Sequence, residues 1–123
     1  MKIIEINEYN KDAKETVVKV TDGVYTVECF SQPCTLETGI EWADPLECLN
    51  FCHDIDGIYV DDSEEKLSKI GFFSYEIVGK LADHDEGIVT VGNLRFHIEA
   101  NRIPKDIQEG QCIRFTADRI DIY

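Results

Sequence analysis

In the C-terminal stretch QCIRFTADRIDIY, Ile113, Phe115 and Ala117 share one parity, whereas Ile120 and Ile122 take the other. Side chains on a strand alternate between faces, so both sets can reach one core only if the chain gains a residue between them. The stretch therefore predicts a strand, then a bulge or sharp bend near Asp118-Arg119, then a continuing strand. Strands that bend and continue are expected where a sheet curls into a barrel or passes between packed sheets. This requirement narrows the fold more than any other feature.

The rest of the chain agrees in kind. ETVVKVTDGVYTVECF sets β-branched and aromatic runs on either side of Asp22-Gly23, a two-residue hairpin signal. GIVTVGNLRFHIEA repeats the device around Gly92-Asn93, with Leu94, Phe96 and Ile98 alternating against Arg95, His97 and Glu99. FSYEIVGKLAD puts Tyr75, Ile77 and Leu81 on one face, and IPKDIQEG reads as a connection ending at Gly110. Helix signals are few. DPLECLNFCH has Asp44 at the N-cap, Pro45 in the first helical position and Glu47 three residues after the cap. It predicts a helix of two to three turns ending near 54–57, and DDSEEKLSKI (residues 61–70) reads as a second, frayed helix or else a solvated loop. The expectation is a mainly β single domain over residues 1–123. Its architecture is a small antiparallel barrel or sandwich with one or two short helices, and an OB-like barrel satisfies the pattern.

Charge sets the class of partner. The chain carries 12 basic residues against 25 acidic ones, a net of −13, and from Val20 to Glu65 there is no Lys or Arg. Nucleic-acid backbones need clustered cations that displace counterions, and anionic membranes need the same. Both are disfavoured, whereas a basic protein would be steered toward such a surface. The MKIIEINEYN start lacks the continuous apolar run of a signal peptide, and no run approaches the length that spans a bilayer. The five cysteines are an odd number. Together these features read as a cytoplasmic protein with reduced thiols.

The cysteines invite a metal reading. Cys29, Cys34, Cys48 and Cys52 follow the spacing C-x4-C-x13-C-x3-C, which departs from the paired C-x2-C knuckles of structural zinc sites. At helical steps of about 100° per residue, Cys48, Cys52, Leu46 and Leu49 fall on one arc, with Glu47 and Asn50 opposite. Cys29 shares parity with Tyr25 and Val27. The preferred reading is therefore buried, reduced core cysteines, with the four-cysteine zinc site as the alternative. Cys52 and His53 are adjacent, but the acids around them oppose the thiolate that cysteine catalysis needs.

Other constellations are weaker. Arg95, His97 and Glu99 read as a solvent-facing cross-strand set, or else as a shallow polar site. ADHDEG around His84 reads as an acidic turn lacking the ligand order of a calcium loop. Phe72, Phe73 and Tyr75 lack the basic groove that base stacking requires. There is no G-x-S-x-G elbow, phosphate-binding glycine loop, dinucleotide fingerprint or H-E-x-x-H. No catalytic residue and no cofactor are assigned. The sequence reading is a non-enzymatic acidic module that covers a basic partner protein, such as an inhibitor or immunity protein against a nuclease toxin. Its contact residues are Glu41, Asp44, Asp54, Asp56, Asp61, Asp62, Glu64 and Glu65, and Trp42 reads as either a core anchor capping the barrel or an exposed anchor of the interface. The alternatives are a structural zinc domain and a β-barrel enzyme whose cleft uses carboxylates or His97.

Overall fold

The predicted bend is present at Asp118. A computed structural model describes residues 1–32, 36–49 and 57–122, the side chain of Tyr9 excepted. Among these residues the strands are β1 (Lys2–Asn10), β2 (Glu15–Thr21), β3 (Thr26–Ser31), β4 (Leu46–Leu49), β5 (Tyr59–Val60), β6 (Lys66–Lys69), β7 (Tyr75–Asp83), β8 (Ile88–Val91), β9 (Leu94–His97), β10 (Cys112–Ala117) and β11 (Arg119–Asp121). A 3-10 turn at Ala100–Arg102 follows β9. The fold is mainly β, as the alternation implied.

The bend separates two pairing environments. β10 lies between β7 and β5, whereas β11 lies between β3 and β4. Ile113, Phe115 and Ala117 are buried before the bend, and Ile120 and Ile122 after it. Asp118 holds the corner through its backbone. Its N–H donates to the Leu49 carbonyl at 2.8 Å, and its own carbonyl accepts from Ser74 Oγ at 3.1 Å.

The strands form one open sheet in the order β1-β2-β3-β11-β4-β9-β8-β7-β10-β5, with β6 also on β7. Most pairs are antiparallel, but β3 with β11 and β4 with β9 are parallel. The sheet curls until β3 meets β6 and β7. At that seam the Glu28 N–H donates to the Tyr75 hydroxyl at 3.0 Å, Lys69 pairs with Glu28, and the Tyr25 hydroxyl reaches the Glu65 carbonyl at 3.4 Å. Side chains thus join strands that no backbone ladder pairs. Inside the curl sit Ile3, Val18, Val20, Val27, Leu46, Ile77, Leu81, Val89, Leu94, Phe96 and Ile113, all fully buried.

The turns follow local chemistry, with one change. β8 and β9 are joined by Gly92-Asn93 with Val91 opposite Leu94, the expected two-residue loop. Gly92 adopts φ +57°, and a Cβ there would lie 2.5 Å from Asp22 Oδ2, so only glycine fits. The Asp22 hairpin is longer than expected. Thr21 faces Thr26, so the connection runs over residues 22–25.

Both helix expectations are corrected. Residues Leu46–Leu49 are strand β4, and Lys66–Lys69 are strand β6; residues 50–53 of the first expected helix lie outside the described residues. Capping signals are worth about 1 kcal/mol and propensities less. β4 instead pairs on both edges, with β9 (Leu46 opposite Phe96) and β11 (Ile120 opposite Cys48), and β6 pairs along β7. Ladders on two edges outweigh a local cap. Four residues are also too few for the pattern to tell a period of 3.6 from a period of two.

The seam yields a direct test. Replacing Tyr75→Phe keeps the ring but leaves the Glu28 N–H without its acceptor, at a cost of about 1–2 kcal/mol. Urea unfolding should show that loss with an unchanged m-value. An unaltered midpoint would mean that the seam does not depend on this hydrogen bond.

Candidate functional site

The acidic interval divides into two parts that flank one turn. Residues 39–42 run along the start of β1: Ile3 N–H donates to the Ile40 carbonyl at 3.0 Å and Trp42 N–H to the Met1 carbonyl at 2.8 Å. Arg95 of β9 donates from Nη1 to the Ala43 carbonyl at 3.0 Å, which holds Asp44 beside the β8–β9 hairpin. From the other side Glu65 accepts the Gly92 N–H at 2.7 Å, placing Asp61–Glu64 nearby in the chain. Glu41, Asp44, Asp62 and Glu64 are exposed. Asp54 and Asp56 lie outside the described residues.

Not every expected contact residue is free to meet a partner. Asp61 accepts the Ser63 N–H at 2.9 Å and lies 3.9 Å from Arg114; the Ser63 hydrogen bonds hold its carboxyl below the usual range. Glu65 is occupied at the Gly92 turn. Trp42 is partly buried and packs on the core, and its Nε1 is a buried donor with no acceptor among the described residues.

Asp22 ties the two hairpin tips together. Its Oδ1 accepts from the N–H groups of Val24 (2.9 Å) and Tyr25 (2.7 Å), and its Oδ2 accepts from Asn93 N–H at 2.7 Å. Burial by itself would raise this carboxyl, but the backbone donors from Asn93, Tyr25 and Val24 outweigh it and hold the pKa below normal. The carboxylate platform beneath the acidic end is thus fixed by structure.

A second polar group was not foreseen. Glu47 of β4 and His97 of β9 are opposite one another in the parallel pairing, and His97 Nδ1 lies 2.6 Å from Glu47 Oε1. The expected Arg95, His97 and Glu99 set is not assembled. Arg95 turns to Ala43, His97 to Glu47, and Glu99 to Arg102 at 3.5 Å. Nothing local signals the Glu47–His97 pair, because only the β4–β9 ladder brings the two together. Beside it lies a cleft of about 140 Å³ whose walls include Glu47, Cys48, Glu99, Arg102 and Phe115. The acidic turn at His84 is an ordinary one, with Glu86 N–H capped by Asp83 and His84 Nε2 against the Pro104 carbonyl at 3.3 Å.

The cysteines follow the inward reading where they are described. Cys29 is fully buried, and Cys48 packs against the core although from a strand rather than the expected helical arc. Burial pushes both thiols up; Cys48 beside it raises Cys29 further, and the Glu47 and Asp121 carboxylates raise Cys48 further. Neutral thiols of this kind are poor metal ligands and poor nucleophiles. Cys34 and Cys52, the other half of the zinc alternative, lie outside the described residues. Among the described residues no group of three or more His, Cys, Asp or Glu side chains could hold a metal ion. No described helix is long and apolar enough to cross a membrane.

The Asp22 tie predicts a pH dependence of defined sign. Its folded pKa is depressed, so its contribution is present above the unfolded pKa and is lost as pH falls through the folded value. Asp22→Asn should cost about 1–2 kcal/mol at pH 7. The gap from wild type should narrow below about pH 4; a constant gap down to pH 2.5 or so would exclude a carboxylate role.

Alkylation at pH 8, mapped by mass spectrometry, should leave Cys29 unmodified and label the partly buried, neutral Cys48 slowly in the folded protein, and label both rapidly in denaturant. Rapid labelling of either in the native state would contradict the buried, neutral thiols.

No family model, curated protein or solved structure matches the chain, so its function rests on the geometry of its own residues.

Proposed function

We propose that this chain is a cytoplasmic, non-catalytic binding module that covers the basic surface of a partner protein, in the manner of an inhibitor or immunity protein against a nuclease. The observation that carries the reading is the distribution of ion pairs. Lys19 is engaged by Glu5 and Glu28, Lys66 by Glu76, Lys69 by Glu28, Arg102 by Glu99, Arg114 by Asp61 and Arg119 by Asp121. Among the described residues no ion pair engages the exposed Glu41, Asp44, Asp62 or Glu64. Six of the twelve basic side chains are thus drawn to acids elsewhere. Lys2, paired through its backbone with Glu41, and Arg95, on the Ala43 carbonyl, lie beside the first acidic segment. The carboxylates of that segment and those of residues 62–64 stay without an ion pair among the described residues.

The field of such acids raises the association rate of a positively charged partner and is weakened by salt. Because the acids sit on segments bonded to β1 and to the β8–β9 turn, they are held without the ordering cost of a floppy loop. Trp42 serves this end as a packing support on the core.

The test is capture from native lysate at low ionic strength followed by elution with rising salt. A single basic protein should be retained and released as salt increases. Neutralising Glu41→Gln, Asp44→Asn, Asp62→Asn and Glu64→Gln together should slow association with it by about tenfold or more, without unfolding the chain. Retention of no basic protein at the lowest salt, or equal association by the neutralised variant, would remove the proposal.

A further inference from the structure

The cleft beside β4 differs in character from the acidic end. Its lining combines apolar Ile58, Ile98 and Phe115 with the carboxylates of Glu47 and Glu99. At about 140 Å³ it is too small for a nucleotide or other cofactor-sized molecule, whose sites usually enclose about 300–1,000 Å³. Its size suits one long side chain inserted by a partner, the arrangement by which interface anchors gain most of their energy.

Charge decides which side chain. Among the described residues, two carboxylates line the cleft against the guanidinium of Arg102, on a chain whose net charge is −13. Glu47 spends one oxygen on His97, and a carboxylate with about four lone-pair sites retains capacity for another donor. The Glu99–Arg102 pair is solvated, with the side chains 69% and 44% exposed, so an entering cation displaces Arg102 at little cost. Cys48, held neutral by burial, contributes a polarizable wall and no competing charge.

We infer that this cleft receives a single long cationic side chain, arginine in preference to lysine, from the basic partner. The aliphatic stem lies on Ile58, Ile98 and Phe115, and the head group meets Glu47 and Glu99. Arginine fits better because its planar fork can satisfy two carboxylates at once. The inference deepens the proposed function and takes its biological meaning from that reading, but the preference of the cleft is measurable without the partner.

The experiment titrates the isotopically labelled full chain with three small probes, followed by amide chemical shifts. The probes are Nα-acetyl-arginine methylamide, its uncharged citrulline counterpart and Nα-acetyl-glutamate methylamide. The arginine probe should perturb amides around Leu49, Ile98, Glu99 and Thr116, with a dissociation constant of about 1–10 mM. The citrulline probe should bind at least tenfold more weakly. Glu47→Gln with Glu99→Gln should weaken the arginine probe by at least fivefold. Ile58→Trp, which fills the cleft and leaves every charge in place, should abolish its shifts. Equal binding of arginine and citrulline probes, preference for the glutamate probe, or no localised shifts at about 50 mM would each overturn the inference. If the arginine probe binds as expected while no basic protein is ever captured, the partner reading fails and the cleft's cation preference stands.

Discussion

The architecture depends on the corner at Asp118. On one side β10 completes the β5–β10–β7 part of the sheet, and on the other β11 fills the space between β3 and β4. A straight strand could serve only one of these places, and its second half would turn Ile120 and Ile122 outward. The corner resolves this by changing parity. It is held from both flanks, by the Leu49 carbonyl and by Ser74 Oγ. Next to it Arg119 forms a two-pronged ion pair with Asp121 and lies over the Phe30 ring at 4.2 Å, so the buried carboxylate is neutralised where β11 enters.

With the corner in place, the sheet can curl and strands distant in its order, β3 and β7, can meet at Glu28 and Tyr75. This seam has a consequence for charge. The lysines of β2 and β6 are drawn to Glu28 and its neighbours, where they hold strand to strand. Of these, Lys66 also acts on Asp61, whereas none forms an ion pair with Glu41, Asp44, Asp62 or Glu64 among the described residues. The same pairings that knit the curled sheet thus leave these four acids without an ion pair among the described residues.

The strands that alternate cleanly were legible beforehand: β2, β3, β7, β8, β9 and the β10–β11 pair each carry an apolar face whose period identifies them. β4 and β6 were not. Their four residues are too short to declare a period, and the Asp44-Pro45 cap supplied a misleading local preference that pairing on two edges overrode. The inward reading of Cys48 survived the change of element, because Leu46 and Cys48 keep one parity on a strand. The Glu47–His97 pair and the cleft had no sequence signal. Their residues come from β4, β9, β10 and segments 58 and 98–102, and only parallel pairing makes neighbours of positions fifty residues apart.

By itself the sequence determined the β character of the chain, the break in the C-terminal strand and a long acidic interval free of positive charge, because alternation and charge are properties of residues in order. The tertiary structure decided which acids remain exposed, which cations they lose to other partners, and where a cleft forms. Those outcomes depend on strand order and register, and in a sheet whose partners are distant in the chain no local preference specifies either.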